Sequence, residues 1–550
     1  MHKYFRWFSR VIRPFRTAIY AMMICHVLLA FCSVGFVYSC KKLVDVAVAA
    51  FEGHDVGNQL YWWGLALIIV VLSRLLLNSV RSYLQTKTEI NIKNRLRYIL
   101  FDVMLHLKSD GSRRHHSGDL LNRMLEDVRV VATSFSSSLP NVFGTSLQFI
   151  VAFAFLIILD VRLAFIIVVL VPAGVFIGRF ITRRMRDLTH DIRRSDSQVQ
   201  SHLQESIQHL TLLQTLEYAD SSSSELESLQ NSLYENELKR TRFSVVSRIF
   251  VSLAFSAGHT VTFLYGVFGI SQGTISYGMM TAFLQLVGQI QRPLVELSTQ
   301  IPSLIHATAS IDRLIEIEEL PREDFSGSRL LSGTVGIAVK DVDFAYPDSD
   351  HDVLNGFSYE FVPGSRTAIV GPTGVGKSTL IKLILSLLKP RKGTIELYVS
   401  GGERLPASAD TRCNMVYVPQ GNSLFSGSIR ENLLMGNPDA AESEMFDALH
   451  IAAADFVHDM PSGLDTLCFE AGAGLSEGQA QRIAIARALL RPGSVLLLDE
   501  FSSALDAATE TVLMERLTAG LPGHTMIFIT HREKIINYCD SVLRLESLCQ

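Results

Sequence analysis

Apolar residues are unevenly distributed along this chain. Before about residue 318 they gather in long uninterrupted runs, and after it they fall into short groups that alternate with polar ones. About 20 helical residues cross a hydrocarbon layer roughly 30 Å thick. Six runs come close to that length, at residues 17–39, 60–80, 140–159, 163–181, 245–270 and 277–297. Polar groups interrupt the second and sixth. The stretches between runs two and three (about 84–138) and four and five (about 184–244) are polar but periodic. Leu96, Leu100, Val103, Met104 and Leu107 recur at helical spacing, as do Leu203, Ile207, Leu210 and Leu213. The pattern predicts membrane helices that run on well past the bilayer and then turn back.

Basic residues orient these spans. Lys3, Arg6, Arg10, Arg13 and Arg16 precede the first run with no Asp or Glu among them, which keeps that end in the cytoplasm. The two long loops then fall on the same side, and both are basic, with Lys93, Arg95, Arg97, Arg113 and Arg114 in one and Arg183, Arg184, Lys239 and Arg240 in the other. The links after Leu159 and Ile270 are very short and almost uncharged. A signal peptide is the competing reading of the first run, but its apolar stretch is too long and lacks an Ala-x-Ala cleavage pattern.

Around Glu318-Glu319-Leu320-Pro321 and Ser326-Gly327-Ser328 the sequence is charged, contains Pro and Gly, and has no period. Beyond it, short β-type runs alternate with helical ones, which predicts an α/β domain. The expected organisation is a transmembrane domain over 1–318, a linker over 319–334 and a globular domain over 335–550.

Composition agrees with that division. Of 550 residues 48% are apolar and 19% charged, against about a quarter charged in an ordinary soluble domain. A net charge of −4, without basic stretches interleaved with aromatics, argues against nucleic acid as a partner. Seven scattered cysteines with no Cys-x-x-Cys argue against a disulfide framework or a zinc site.

Chemistry concentrates in the second part. Gly371-Pro372-Thr373-Gly374-Val375-Gly376-Lys377-Ser378-Thr379 matches a phosphate loop. The stretch Arg366–Val370 before it reads as a buried strand, and Leu380–Ile384 after it as a helix. Glycines let the backbone N–H groups curl toward phosphate oxygens at a helix N-terminus. Lys377 is expected to reach the terminal phosphates, and Ser378 to offer its hydroxyl to magnesium. Further on, Ser494–Leu498 reads as a fully buried strand that ends in Asp499-Glu500. A carboxylate at that tip suits a magnesium-side role for Asp499, and its neighbour Glu500 suits polarisation of attacking water.

Leu475-Ser476-Glu477-Gly478-Gln479, with the helix after it, stands between these motifs and resembles the Leu-Ser-Gly-Gly-Gln signature of the ATP-binding cassette (ABC) family. The resemblance implies that Ser476, Gly478 and Gln479 close on ATP held by a second subunit. Glu477 departs from the family pattern by replacing its first glycine. Other elements come in family order: Tyr346 where an aromatic ring stacks on adenine, Gln420 as a magnesium contact that senses the membrane domain, Ser503–Asp506 as the loop at the dimer interface, and His531 as the contact to the γ-phosphate. Ser117–Arg123 with Asp127, and Leu203–Ser206, resemble the two internal loops of the exporter branch.

The resemblance thus implies an α-helical six-span transmembrane domain with long cytoplasmic extensions, followed by an α/β ABC ATPase domain. It implies ATP and Mg2+ as ligands, and export or flipping of an amphipathic cargo such as a lipid, drug or peptide. The chain carries one phosphate loop and one signature, so a second half-transporter is the expected partner. A homodimer is the economical reading, and one sequence does not exclude a heterodimer. Membrane lipid surrounds it, and Arg74 and Arg81 make an anionic lipid one candidate cargo. A bacterial plasma (inner) membrane is the expected location, with the N-terminus and ATPase domain in the cytoplasm. The rival reading is a non-transporting ATP-gated channel or regulator on the same scaffold.

Overall fold

Among the described residues, the elements up to Glu318 are helices and the strands follow it. The computed structural model describes residue 7 and residues 10–108, 117–346, 351–469 and 474–545. The predicted orienting residues Lys3, Arg6, Arg113 and Arg114 lie outside those described. The chain divides into two compact units, one of residues 1–101 with 121–318 and the other of 102–120 with 319–550.

Five long helical runs, α1 (Arg16–Phe51), α2 (Gln59–Leu105), α3 (Asp119–Leu159), α4 (Val161–Gln208) and α5 (Ala219–Ser271), lead to α6 (Tyr277–Glu318). Within α3, two π-helical turns at Arg123–Asp127 and Ser134–Ser138 shift the register of the side chains. Among the described residues, four helices are long and apolar enough to cross a membrane: Arg10–Phe51, Gln59–Leu105, Asp119–Leu159 and Ala219–Ser271. The fourth and sixth predicted runs lie in α4 and α6. In α4 the side chains of 168–182 are outside those described, and in α6 Gln285, Gln289, Gln291 and Arg292 break the apolar run.

The helices extend far beyond their apolar segments, as the periodicity of the loops predicts. α1, α3 and α6 pack together, and α4 packs along α5. Val37, Leu156, Leu163, Phe283, Leu286 and Ile290 form the tightest part of the apolar core. Its short links are held by acids. Asp160, the single residue between α3 and α4, caps α4 by accepting from the N–H groups of Arg162 and Leu163, and takes a third bond from the Tyr265 hydroxyl at 2.9 Å. Asp127 forms a bidentate pair with Arg313, and Arg123 an ion pair with Glu316, so the first internal-loop motif is tied to α6. The membrane-spanning part of α2 is different, because none of its apolar window is buried within the chain.

The cassette unit contains an antiparallel sheet and a parallel one. The antiparallel sheet runs in the order β2–β1–β4–β5, from β1 (Val335–Phe344), β2 (Leu354–Phe361), β4 (Lys392–Val399) and β5 (Arg404–Pro406). The parallel sheet contains β3 (Arg366–Val370), β6 (Met415–Val418), β7 (Val495–Asp499), β8 (Thr525–Ile529) and β9 (Ser541–Arg544), in the order β9–β3–β8–β7–β6. All five residues of β7 are buried, as expected for a central parallel strand covered on both faces. Alternation along the strands divides them between two cores. Leu496, Leu498, Met526 and Phe528 face one, with Ile483, Leu513 and Leu517, while Val495, Leu497, Ile527 and Ile529 face the other, with Leu380, Ile384 and Phe361. Truncating such a residue, for example Leu497→Ala, costs about 2–5 kcal/mol.

Candidate nucleotide site

In a parallel sheet every strand ends on the same edge, so the segments that leave β3, β8, β7 and β6 emerge side by side. After β3 comes the loop Gly371–Gly376, after β8 comes His531, β7 ends in Asp499 with Glu500 next, and Gln420 comes just after β6. Strand order alone therefore lines up four motifs that are up to 160 residues apart (371 to 531) in the sequence.

The loop opens α7 (Lys377–Ile384) at Gly376, whose φ of +105° is closed to most side chains and whose Cβ would meet Val353 at 2.7 Å. Pro372, Thr373, Gly374 and Val375 make up the rest of the turn. The Lys377 amine is buried and donates to the carbonyls of Gly371 (2.6 Å) and Pro372 (3.0 Å), with His531 Nε2 at 3.1 Å. Burial lowers its pKa from the ordinary lysine value. Ser378 hydrogen-bonds the Asp499 carboxylate, and burial pushes that carboxyl up from its usual range despite this bond. Thr379 bonds the Tyr346 hydroxyl at 2.8 Å, so the aromatic ring that leaves β1 is tied to the first turn of α7.

Glu500 sits just past the strand with a left-handed φ of +46°, uncommon for a residue with a side chain. Its N–H donates to the Ile529 carbonyl at 3.0 Å, which fixes it to β8. One carboxylate oxygen accepts from Gln420 Nε2 at 2.5 Å, and the other lies 3.6 Å from His531 Nε2. Lys377, Ser378, Gln420, Asp499, Glu500 and His531 thus form one connected group.

Signature residues stand apart from that group. Ser476 caps α8 (Glu477–Leu489) in a reciprocal capping box with Gln479, and among the described residues neither has a hydrogen bond to the phosphate loop. Glu477 is the first residue of α8, where a carboxylate complements the helix dipole. A Cβ on Gly478 would meet the Ala504 carbonyl at 2.8 Å, so the signature leans on the loop that ends in Asp506. Asp506 in turn caps α9 (Ala507–Gly520) by accepting from Ala508 and Thr509. Gly478→Ala is expected to lower steady-state kcat/KM for ATP about tenfold through this clash. Unchanged turnover would detach Gly478 from the site.

Two arginines that the motifs alone do not single out organise these loops. Arg532 donates to the carbonyls of Ser503 and Leu505 and to Glu510, holding the Asp506 loop to the residue after His531. Arg482 bonds the Gly478 and Ala453 carbonyls and covers the Phe456 ring at 4.6 Å. An arginine beside a buried strand end, or in an apolar helix, is a signal that such partners exist.

In or beside the first two apolar runs, His26 is buried with its ring against Gly144, where a Cβ would meet Nδ1 at 1.9 Å. Arg74 covers the Phe36 ring at 5.5 Å, and Arg81 Nε is buried without a hydrogen-bond partner among the described residues.

Known proteins resemble the chain over almost its whole length. Residues 19–294 match the ABC transporter transmembrane region, and residues 354–503 match the ABC transporter domain. An ATP-dependent lipid A-core flippase of Chromobacterium violaceum is 27% identical over 92% of this chain and 86% of its own length. The ABC multidrug transporter mdr2 of Aspergillus fumigatus is 30% identical over 92% of this chain and 65% of its own. Among solved structures, a bacterial Atm1-family ABC exporter with ATP bound superposes with a TM-score of 0.79 at 23% identity, covering 97% of this chain and 94% of that one.

Proposed function

Because the chain belongs to the ABC transporters, we propose that it works as a half-transporter, most simply in a homodimer, that uses ATP to export or flip an amphipathic anion. One observation carries this reading: six polar side chains converge on the phosphate loop, yet Ser476 and Gln479 of the same chain make no hydrogen bond to it. A complete site around a triphosphate then takes the loop of one copy and the signature of another. The exposed apolar face of α2, with Trp62, Leu65, Ile69, Leu72 and Leu76, is a surface that lipid or a second copy would cover.

In this reading Lys377 and the loop N–H groups neutralise phosphate charge, Tyr346 stacks on the base, and His531 contacts the terminal phosphate. Glu500, held between Gln420 and His531, orients the attacking water and accepts its proton. Ser378, Asp499 and the amide oxygen of Gln420 are a hard oxygen set that fits Mg2+, which when bound supplies charge neutralisation to the phosphates. The proposed boundaries are a membrane domain to 318, a linker over 319–334 and a cassette from 335. The membrane domain crosses six times, with the fourth and sixth crossings in α4 and α6. Its proposed location is a bacterial inner membrane, with the cassette and N-terminus in the cytoplasm.

The cargo reading rests on Arg74 and Arg81, because ionisable groups at membrane depth face a bundle interior or water. In proteoliposomes with a fluorescent anionic phospholipid, ATP is expected to drive its movement between leaflets and the lipid to stimulate hydrolysis. Replacing Arg74 and Arg81 by Ala together is expected to slow that movement about tenfold, the size of a lost charge-assisted bond, with less effect on a cationic analogue. Equal loss for both analogues would discard the anionic cargo, and ATP turnover with no movement of any candidate would discard transport.

A further inference from the structure

The segment that joins α6 to the cassette is pinned at every few residues. Ser326 and Gly327 donate their N–H groups to Asp410. Asn414 accepts from the Leu331 N–H and donates to the Arg329 carbonyl. At its start, the Glu323 N–H donates to the His106 carbonyl at 2.7 Å, and the Lys108 N–H to the Pro321 carbonyl at 3.1 Å. His106 and Lys108 come one and three residues after Leu105, the last residue of α2. The chains leaving α2 and α6 therefore lie side by side inside the cassette unit.

Arg412 connects that junction to the nucleotide loop. Its guanidinium grips the Glu323 carboxylate in bidentate fashion, at 3.0 and 2.9 Å. Its remaining donors reach the carbonyls of Leu385 at 2.9 Å and Ser386 at 3.4 Å. Those two residues come directly after α7, the helix that begins at Lys377. The last carbonyls of a helix have no partner within it and carry the negative end of its dipole, so a guanidinium is well matched to them. Only 27% of the Arg412 side chain and 19% of the Glu323 side chain are exposed, so water competes little for the pair. Lysine could not reproduce the fork that binds carboxylate and carbonyls together.

We infer that Arg412 is a positioning residue that couples the phosphate-loop helix to the chain entering from α6 and leaving α2. A displacement of α7 is passed through one planar group to Glu323, and from the Glu323 backbone to His106. This route uses neither Gln420 nor the internal-loop motifs, and it rests on the transporter reading above.

The test uses the full chain in lipid nanodiscs, with hydrogen exchange followed by mass spectrometry at saturating ATP plus vanadate. Nucleotide trapping is measured in the same samples. In the parent, trapping is expected to change exchange in the α5–α6 link, residues 271–276. In Arg412→Ala and Glu323→Gln that change is expected to shrink at least about fivefold, the low end of allosteric coupling, while nucleotide is still trapped. Arg412→Lys is expected to lose most of the response as well, and it keeps the test alive if the alanine variant fails to fold. An undiminished response in all three variants overturns the inference. So does loss of nucleotide trapping, which would place Arg412 in the ATP site itself. A parent that traps nucleotide with no change in the link would remove the transporter reading first.

Discussion

Glu500→Gln chains are expected to retain ATP as the parent does and to hydrolyse it about a hundredfold more slowly or worse, the range for loss of a general base. The substitution keeps size and shape. The backbone bond to Ile529 and the left-handed φ of +46° belong to the main chain, so they survive the change. The loss is a carboxylate held between Gln420 Nε2 and His531 Nε2. A neutral amide there can no longer accept a proton from water. Because binding and chemistry are separated, the variant should accumulate a nucleotide-bound dimer. Single-turnover phosphate release and nucleotide retained through gel filtration measure the two halves of the claim. Undiminished turnover would remove Glu500 from its role, and lost retention would mean that the side chain serves binding.

The parts of this site that a sequence reveals are those whose chemistry is local. Glycines at set intervals before Lys377 declare a loop that must curl, and the apolar residues before Asp499 declare a strand covered on both faces. Neither needs a distant partner. That these motifs lie side by side is not local information, because it comes from the strand order β3–β8–β7–β6. Which groups Arg412 and Arg532 bind is not legible in the sequence for the same reason. Their partners lie 89 residues away at Glu323 and 22–29 residues away at Glu510 and Ser503, and nothing in the intervening sequence marks the pairing. The link after Leu159 reads as empty of function apart from one acid, yet that acid caps α4 and holds the Tyr265 hydroxyl. Periodicity correctly extends the helices past the membrane, because a 3.6-residue repeat persists whatever solvent surrounds it. It does not say what covers the apolar face of α2, since that face meets little of its own chain.

Lys377→Ala is expected to abolish measurable turnover alone and to recover it in part when paired with a chain damaged at the signature. The buried amine is held by the Gly371 and Pro372 carbonyls beside His531. Removing it takes away the loop's only cationic side chain and leaves the Gly371 and Pro372 carbonyls without its amine. A lost charge-assisted bond costs about 1.5–3 kcal/mol. Ser476→Arg attacks the other half-site by removing the cap of α8 and crowding the anion. If each site is built from two chains, a mixed dimer gathers both lesions into one site and leaves the second intact. Equal co-expression then yields mixed pairs in about half of the dimers, and trapped nucleotide should approach about a quarter of the parent level, one site in two for half the molecules. Trapping reads site assembly directly, so it does not depend on whether one site can drive transport alone. Were each chain to hold a complete site by itself, mixing two inactive chains would restore nothing.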